Sequence, residues 1–567
     1  MVYVYKDKNS SGNSVWYLGE NKKINGVSKR VWSKYIGTAK AIKKMVEFPQ
    51  LPLEIESVSY GLPAALLNIN QEIGFSSIIE KHCSKRDQCL TVGEHILIDI
   101  INRIDEQNSH NKLGDWFQKT MLRGVFPVKQ SYLSSQSYWN HWQYLDEEKM
   151  EAIQKDLLPK IIKDIDIKQL FYDPTNFTTW IDNKHKENPK GKKRHEVGMA
   201  KYGKSKNKIR GLNQINLALL VTKDWGIPLW HKPYDGNIND VTFFKTFINL
   251  LIDKVEVFAK ECKSITLVMD KGNNSPPNIK RIDKDLHFYV LGSLAPSQFK
   301  DLLEVPLNKF DVEYTSSKKE IYKAYALRNK VFGKQCNVVI TYYEKTAYNQ
   351  RERTERALAK ALAYLEEAKS KLNRPKWKNR DEVLVRINSI LTRFHAKGLV
   401  DLELKTENKK LKLNFSENKE RLSYLENSYG KSILFTDNDI LSTEEIIKAY
   451  HDKYIVEQQI RQLKNKHMIS ITPEFCWTDE SCRVHAFTCV MALLFLSLLR
   501  KKVNEAGLKL SGEEIVGTLK GIRKGLVLMP KQEKVIPMIE KMDEIQNKLF
   551  DVLNLGKMGN RGTTAKN

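Results

Sequence analysis

Apolar and polar positions alternate over the first stretch of the chain, to about residue 45: Val2 and Val4, then Val15, Trp16 and Tyr17, then Val31, Trp32 and Ile36, with turn signals at Ser10-Ser-Gly and Asn25-Gly. A period of two between such turns predicts short antiparallel strands, a small β-ribbon. From about 60 to 165 the spacing turns helical, with Ile78, Ile79, Ile96, Ile98, Ile100 and Ile101 leading to Trp116, Phe117 and the aromatic stretch Tyr138 to Tyr144. That predicts an all-helical region, and the spacing leaves open whether it binds anything or is simply a packed bundle. Apolar strand-like runs follow at 169–180, 215–222, 227–233, 265–270 and 287–291, with an amphipathic helix between them at 241–260. Strands mixed with a helix in this order predict a mixed α/β sheet.

Residues from about 294 to 440 read as a piece inserted after that sheet. They carry strand signals near 338–343, a long charged helix from about 346 to 373, and further strand-like segments at 402–414 and 432–435. At Ser442-Thr-Glu-Glu445 a capping-box signature opens a helix expected to run well past residue 460. The longest apolar run, Val484 to Leu499, is shorter than the roughly 20 residues of a membrane span and contains His485, Thr488 and Ser497, so a buried helix is expected and no membrane association. The leucines Leu358, Leu362, Leu365 and Leu372 fall at heptad-like steps over too short a stretch for a coiled coil, and packing within the inserted piece is expected instead.

Composition changes the picture through charge. The chain has 567 residues and 93 Lys+Arg against 68 Asp+Glu, a formal net charge of +25. Such a surplus on a chain long enough for several folding units points to a polyanionic partner, nucleic acid first. The seven cysteines are scattered without a CxxC pair, and the lysine-bearing N-terminal stretch has no apolar signal core. Reduced thiols and a cytoplasmic protein are the expectation. The spacings around Cys83 and Cys89, and among Cys476, Cys482 and Cys489, match no common zinc module, so core thiols are expected there.

Two aspartates share one design. Asp173 follows the apolar run Leu-Phe-Tyr and precedes Pro174; Asp270 ends Ile-Thr-Leu-Val-Met and precedes Lys271-Gly272. On strands that point the same way both carboxylates would emerge in one crevice, although a strand-terminal Asp alone usually just caps the next turn. On the expected long helix, steps of three and four place Tyr450, Lys453, Glu457, Arg461 and Lys464 on one stripe. By spacing alone, that stripe reads first as a solvated face with i,i+4 ion pairs.

The arrangement Tyr-x2-Lys-x3-Glu-x6-Lys nevertheless resembles the YREK signature of the DDE transposases of bacterial insertion sequences, the cut-and-paste, hairpin-forming group, with Lys453 in place of the usual Arg. The segments YDPTNFTTW, the stretch from Gly226 to Asp240, VMDKGNN and the stretch from Leu441 to Asn465 are similar to that family as well, so the resemblance spans roughly 165–500. It implies an α/β fold: a ribonuclease-H-like catalytic core interrupted by an α+β insertion, with an N-terminal β-ribbon plus helical region and a helical C-terminal segment. The divisions expected on this plan are 1–60 (β-ribbon, DNA-binding), 61–165 (helical, DNA-binding), 166–293 (core, first part), 294–440 (insertion), 441–500 (last core helices) and 501–567 (helical, with a possible dimerisation role).

The resemblance further implies that Asp173, Asp270 and Glu457 are the catalytic triad and the ligands of two Mg2+ ions, for which Mn2+ would substitute. Hard carboxylate oxygens suit such ions on either side of one scissile phosphate. It implies DNA contacts from Tyr450, Lys453, Arg461 and Lys464, and a homodimer acting on double-stranded DNA, both the inverted-repeat ends of the element and the target. Lys453 keeps the positive charge but loses the guanidinium fork. Beside the first Asp strand, a run of lysines and arginines that includes Lys192, Lys193, Arg194, Lys204, Lys206, Lys208 and Arg210 reads as a phosphate-tracking arm. Two rival readings remain: another metal-dependent nuclease on the same core, and a catalytically inert, domesticated DNA-binding protein.

Overall fold

The structure is a computed structural model that describes residues 2–24, 26–47, 54–83, 90–181, 198–206, 209, 211–472, 476, 478–528 and 535–557. The chain divides into two units, one of Met1–Leu67, Gly114–Ser131 and Glu513–Asn567, the other of Asn68–Leu113 and Tyr132–Gly512.

In the first unit the alternating N-terminal positions form β1 (Val2–Lys8), β2 (Ser14–Ile24) and β3 (Val27–Thr38), an antiparallel sheet in that order. A second sheet in this unit joins β4 (Glu54–Ser59) to the strand Arg523–Leu528, which pairs in turn with Val535–Ile539. The expectation of a wholly helical segment over 501–567 is therefore corrected. Helices Gly512–Lys520 and Glu544–Val552 are present, but two strands lie between them. The partner of Arg523–Leu528, β4, comes from the other end of the chain, so local periodicity carries no trace of that pairing.

The second unit opens with helices and closes around a sheet. α1 (Val92–Asp105) starts at a capping box in which Thr91 and Glu94 satisfy each other's backbone, and α2 (Glu147–Ile162) starts at Asp146. Then come β5 (Gln169–Thr179), β6 (Asn213–Thr222), β7 (Pro228–Asp235), α3 (Asp240–Ile252), β8 (Thr266–Met269) and β9 (Tyr289–Ser293). β5, β6 and β7 are antiparallel neighbours; β8 runs parallel to β5, and β9 parallel to β8. Tyr172 of β5 packs edge-on against Phe244 and at a tilt against Phe247 of α3, which covers one face of the sheet. The helix expected over 241–260 is two, since α3 stops at Asp253 and a short helix restarts at Val255.

The expected insertion, 294–440, divides in two. β10 (Val312–Thr315), β11 (Ile321–Val331) and β12 (Lys334–Tyr342) belong to the main sheet, as does a later strand, β15 (Lys431–Thr436), which lies between β12 and β9. The result is one nine-stranded mixed sheet of order β10-β11-β12-β15-β9-β8-β5-β6-β7. Only what lies between β12 and β15 builds a core of its own. There α4 (Glu344–Lys371), α5 (Arg380–Arg393) and the hairpin of β13 (Val400–Glu407) and β14 (Lys410–Glu417) bury Ala361, Leu365, Val383, Ile387 and Leu413 together. The strand signals at 338–343 and 432–435 are correct as strands, but their burial on both faces comes from joining the central sheet.

After β15 the chain forms α6 (Thr443–His451), α7 (Tyr454–Lys464) and α8 (Asp479–Glu505). α8 is long and apolar enough to cross a membrane by length and composition, and 89 % of its most apolar window is buried inside the protein.

Candidate active site

β5 and β8 lead the two aspartates to one site. Their parallel register pairs Leu170 with Leu267 and Phe171 with Val268; each aspartate follows two residues past that last pair, and Asp270 acts electrostatically on Asp173. Neighbouring strands lie roughly 4.8 Å apart, and residues in register share a face. Because Tyr172 points to α3, Asp173 points to the opposite face, on which α7 packs. Asp173 lies inside a continuous strand that runs on to Thr179 rather than at a strand end. Pro174 is tolerated there because the pairing with β8 ends at Phe171, so no ladder partner waits for the missing N–H. Asp270 is strand-terminal and does cap the following turn, accepting from the Lys271 N–H at 3.0 Å. The simple capping role is thus real, and the same carboxylate also faces the site.

The third carboxylate comes from the helices. Ser442 and Glu445 form the expected capping box, but the single long helix is broken into α6 and α7 at Asp452 and Lys453. Neither Gly nor Pro explains the break; it coincides with two long-range ion pairs, Asp452 with Lys223 at 3.9 Å and Lys453 with Asp270 at 3.5 Å. Lys453 also reaches Glu457 at 3.7 Å and lies over the Tyr450 ring. Its ammonium therefore ties Asp270 to Glu457, while both carboxylates stay about half exposed. Tyr450 donates its hydroxyl to Ser293 Oγ at the end of β9, 2.8 Å away, which anchors α6 beside β9. α7 is anchored at its other side by Gln459, which donates to the Trp225 carbonyl. Gly226 has a φ of +60°, and a Cβ there would stand 2.3 Å from the Gln459 amide, so the β6–β7 turn needs glycine for the helix to approach.

Electrostatics set Asp173 apart. Burial, and then the negative charges of Asp270 and Glu457, push its carboxyl up to about 6 against the pull of Lys206 and Lys453. Burial alone would lower the Lys453 ammonium, but Asp270, Tyr450, Asp173 and Glu457 outweigh it and raise it above the ordinary lysine value. Lys464 lies over the Phe177 ring, and burial and the neighbouring Lys206 bring it down to about 8. Lys206 is stitched to β5: its ammonium donates to the Pro174 carbonyl and pairs with Asp240 at 3.0 Å, while its N–H donates to Asn176. Beside Asp270 opens a cavity of about 350 Å³ lined by Lys271, Ser293, Leu294, Ser432 and Tyr450 among others.

The chain carries the mark of a known family over this region. A family model described as the transposase DDE domain matches residues 178–493, more than half of the chain. The chain belongs to the DDE transposase family. It is an enzyme of DNA transposition, a metal-dependent DNA-cleaving transposase. The matched span takes in Asp270 and Glu457 and begins just past Asp173. The chain is also similar to a solved structure described as the cryo-EM structure of piggyBac transposase synaptic complex with hairpin DNA, with 10 % identity and a TM-score of 0.39 over 80 % of this chain and 79 % of that one. No curated protein sequence matches at a significant level.

For the transposase, the expected site residues sort as follows. Asp173, Asp270, Glu457, Lys453 and Tyr450 converge, and Lys464 and Lys206 lie on the same side of β5 near Asp173. Arg461 is exposed on α7, and Lys204 is exposed with its carbonyl accepting from Asn176. Lys192, Lys193, Arg194, Lys208 and Arg210 lie outside the described residues. Ser293, Gln459 and Asp240 position the site but gave no local signal, since each acts on a partner distant in sequence. Among the described residues no group of three or more His, Cys, Asp or Glu side chains stands close enough together to hold a metal, and the Lys453 ammonium lies between Asp270 and Glu457, paired with both. The donor chemistry still fits divalent ions. Three carboxylates offer hard oxygens, and Asp173, pushed up first by burial, keeps Asp270 and Glu457 as negative neighbours.

Proposed function

We propose that this transposase binds the terminal inverted repeats of a bacterial insertion sequence, cleaves DNA at the element ends and joins the freed 3′-hydroxyls to target DNA. In this reading Asp173, Asp270 and Glu457 hold two divalent ions, Mg2+ with Mn2+ able to substitute, on a ribonuclease-H-like core formed by β7-β6-β5-β8-β9. The observation that carries it is that Asp173 and Asp270 each follow one of two adjacent parallel strand segments paired in register up to Phe171 and Val268, and that Asp270 and Glu457 both act electrostatically on Asp173. When bound, two such ions supply Lewis-acid activation of the attacking oxygen and charge stabilisation of the leaving one at a single phosphate.

The chain's own residues do the rest. Lys453, Lys464 and Lys206 line the carboxylate cluster with cations that meet DNA phosphates, and Lys464 does so from a partly desolvated position where an ion pair is worth more than at the surface. Tyr450, held by Ser293, forms a fixed wall beside Asp270 against which the terminal nucleotide is placed. The YREK-signature, cut-and-paste assignment, a homodimer that brings two sites to two ends, and a cytoplasmic, nucleoid-associated location belong to the same proposal.

The test is cleavage of labelled duplex carrying the DNA that flanks the chain's own coding sequence, with Mg2+ or Mn2+, by wild type and by Asp173→Ala, Asp270→Ala and Glu457→Ala. Metal-dependent nicking at the end, lost in all three while end binding persists, is the expected result. Binding without any cutting by the wild type would turn the reading to an inert DNA-binding descendant, and normal cutting by any one variant would remove that residue from the ligand set.

A further inference from the structure

Lys453 is held by the carboxylates of the site, and it sits deeper than they do. Its side chain is 13 % exposed, against 48 % for Asp270 and 49 % for Glu457. Its ammonium reaches both acids, at 3.5 and 3.7 Å, and the charge of Asp173 acts on it as well. The Tyr450 ring lies against it, with 5.9 Å from ammonium to centroid, and the hydroxyl bond to Ser293 fixes that ring.

The neighbouring cations are placed differently. Lys206, which also acts on Asp173, is committed to Asp240 and to the Pro174 carbonyl. Lys464 lies over the Phe177 ring and, among the described residues, makes no ion pair with any of the three carboxylates. Lys453 alone of these three lysines therefore covers two acids whose oxygens are of the kind that hard divalent ions take. It does so with a compact charge on a flexible four-carbon stem, which can swing away while the helix stays in place. There is room beside it. The cavity of about 350 Å³ is lined by Asp270 and Tyr450, both in contact with Lys453, and by Lys271, Ser293 and Ser432, residue types that suit a phosphate.

We infer that Lys453 is a positioning residue that couples ion loading to DNA binding: its ammonium is a resident counter-ion of Asp270 and Glu457, divalent ions compete with it for their oxygens, and a DNA phosphate in the adjoining cavity draws it off. The inference rests on the functional reading for the role of the carboxylates, and it deepens that reading by naming what regulates their loading. Linkage makes the coupling reciprocal. A phosphate that takes up the ammonium raises ion affinity, and ions that displace the ammonium raise DNA affinity by the same factor.

The experiment measures Mn2+ binding to the full chain by the paramagnetic resonance of free Mn2+, with and without a duplex of the DNA flanking its own coding sequence, and counts it over the Mn2+ that the duplex takes up alone. Without DNA, Lys453→Met is expected to bind Mn2+ about tenfold more tightly than the wild type. A variant that failed to fold would lose binding instead. Lys464→Met removes a charge near Asp173 but breaks no ion pair, and a smaller gain is expected for it. Lys453→Arg keeps the charge and is expected to bind no more tightly than the wild type. Adding the duplex should tighten Mn2+ binding by the wild type and by Lys464→Met, and leave Lys453→Met nearly unchanged. Wild-type Mn2+ affinity in Lys453→Met, or an equal gain in Lys464→Met or Lys453→Arg, with Mn2+-dependent cleavage by the wild type intact, would overturn the inference and leave the functional reading standing. A wild type that neither takes up Mn2+ nor cleaves would overturn that reading and the inference with it.

Discussion

The sheet that holds the carboxylates and the helical piece between β12 and β15 handle charge in opposite ways. On α4, charges meet partners one turn away, Arg356 with Glu352 and Lys371 with Glu367, and all four side chains face solvent. Beneath them the core is apolar, built on Ala361, Leu365 and Ile387. At β5 and β8, by contrast, carboxylates from distant parts of the chain act on one another, Asp173 is pushed up to about 6, and Lys453 serves both Asp270 and Glu457. A region optimised for stability separates like charges and pairs the rest locally. Concentrated and only partly balanced charge lowers stability, and a fold keeps it where chemistry needs it.

The most direct way to break this contrast is to neutralise the carboxylates. Asp270→Asn and Glu457→Gln are expected to lower strand cleavage on the order of a thousandfold or more, since several kcal/mol of transition-state stabilisation are removed. Urea unfolding midpoints should hold or rise, because the cluster gains nothing in stability from its like charges. A large fall in the midpoint would show that these acids are structural.

The reverse is expected of Leu365→Ala in α4, which is fully buried. It should cost about 2–5 kcal/mol of stability to that core. Cleavage measured well below the unfolding midpoint should remain. Equal losses of stability and cleavage would mean that the two regions are one cooperative system.

Acid should separate them further. Burial holds His231 on β7 and His485 on α8 neutral down to about 3. The unfolded chain binds those protons below the ordinary histidine value near 6.5, so stability from these two groups is full above that value and falls as pH drops towards 3. The expected loss is of the order of a few kcal/mol. The piece from 344 to 428 has one histidine, His395, and it is exposed. Hydrogen exchange followed region by region between neutral and acid pH should show β7 and α8 loosening first. The smallest effect is expected from Arg356→Ala, at most a few tenths of a kcal/mol in thermal unfolding.

Much of this layout was legible from residue patterns. The N-terminal strands, the apolar strands around both aspartates, the capping box at Ser442 and the buried run in α8 all follow from spacing or from cap chemistry that acts within a few residues. What was misread shares a physical cause. The break between α6 and α7, the strands within 501–567 and the membership of β10, β11, β12 and β15 in the central sheet all depend on partners far along the chain. A period of 2 or 3.6 reports which face of an element is buried, and never what buries it.

The sequence by itself determined that this chain is strongly basic, that it alternates strands with helices, and that Asp173 and Asp270 follow apolar runs while Tyr450, Lys453, Glu457 and Lys464 keep a spaced signature. Only the tertiary structure decided that β5 and β8 run parallel and pair in register up to two residues before each aspartate. It also decided that Lys453 binds Asp270 as well as Glu457. The reason is the same in each case. Local preference acts over a few residues, whereas strand register, desolvation of a carboxylate and the sharing of an ammonium between two acids are set by groups that meet only when distant segments pack.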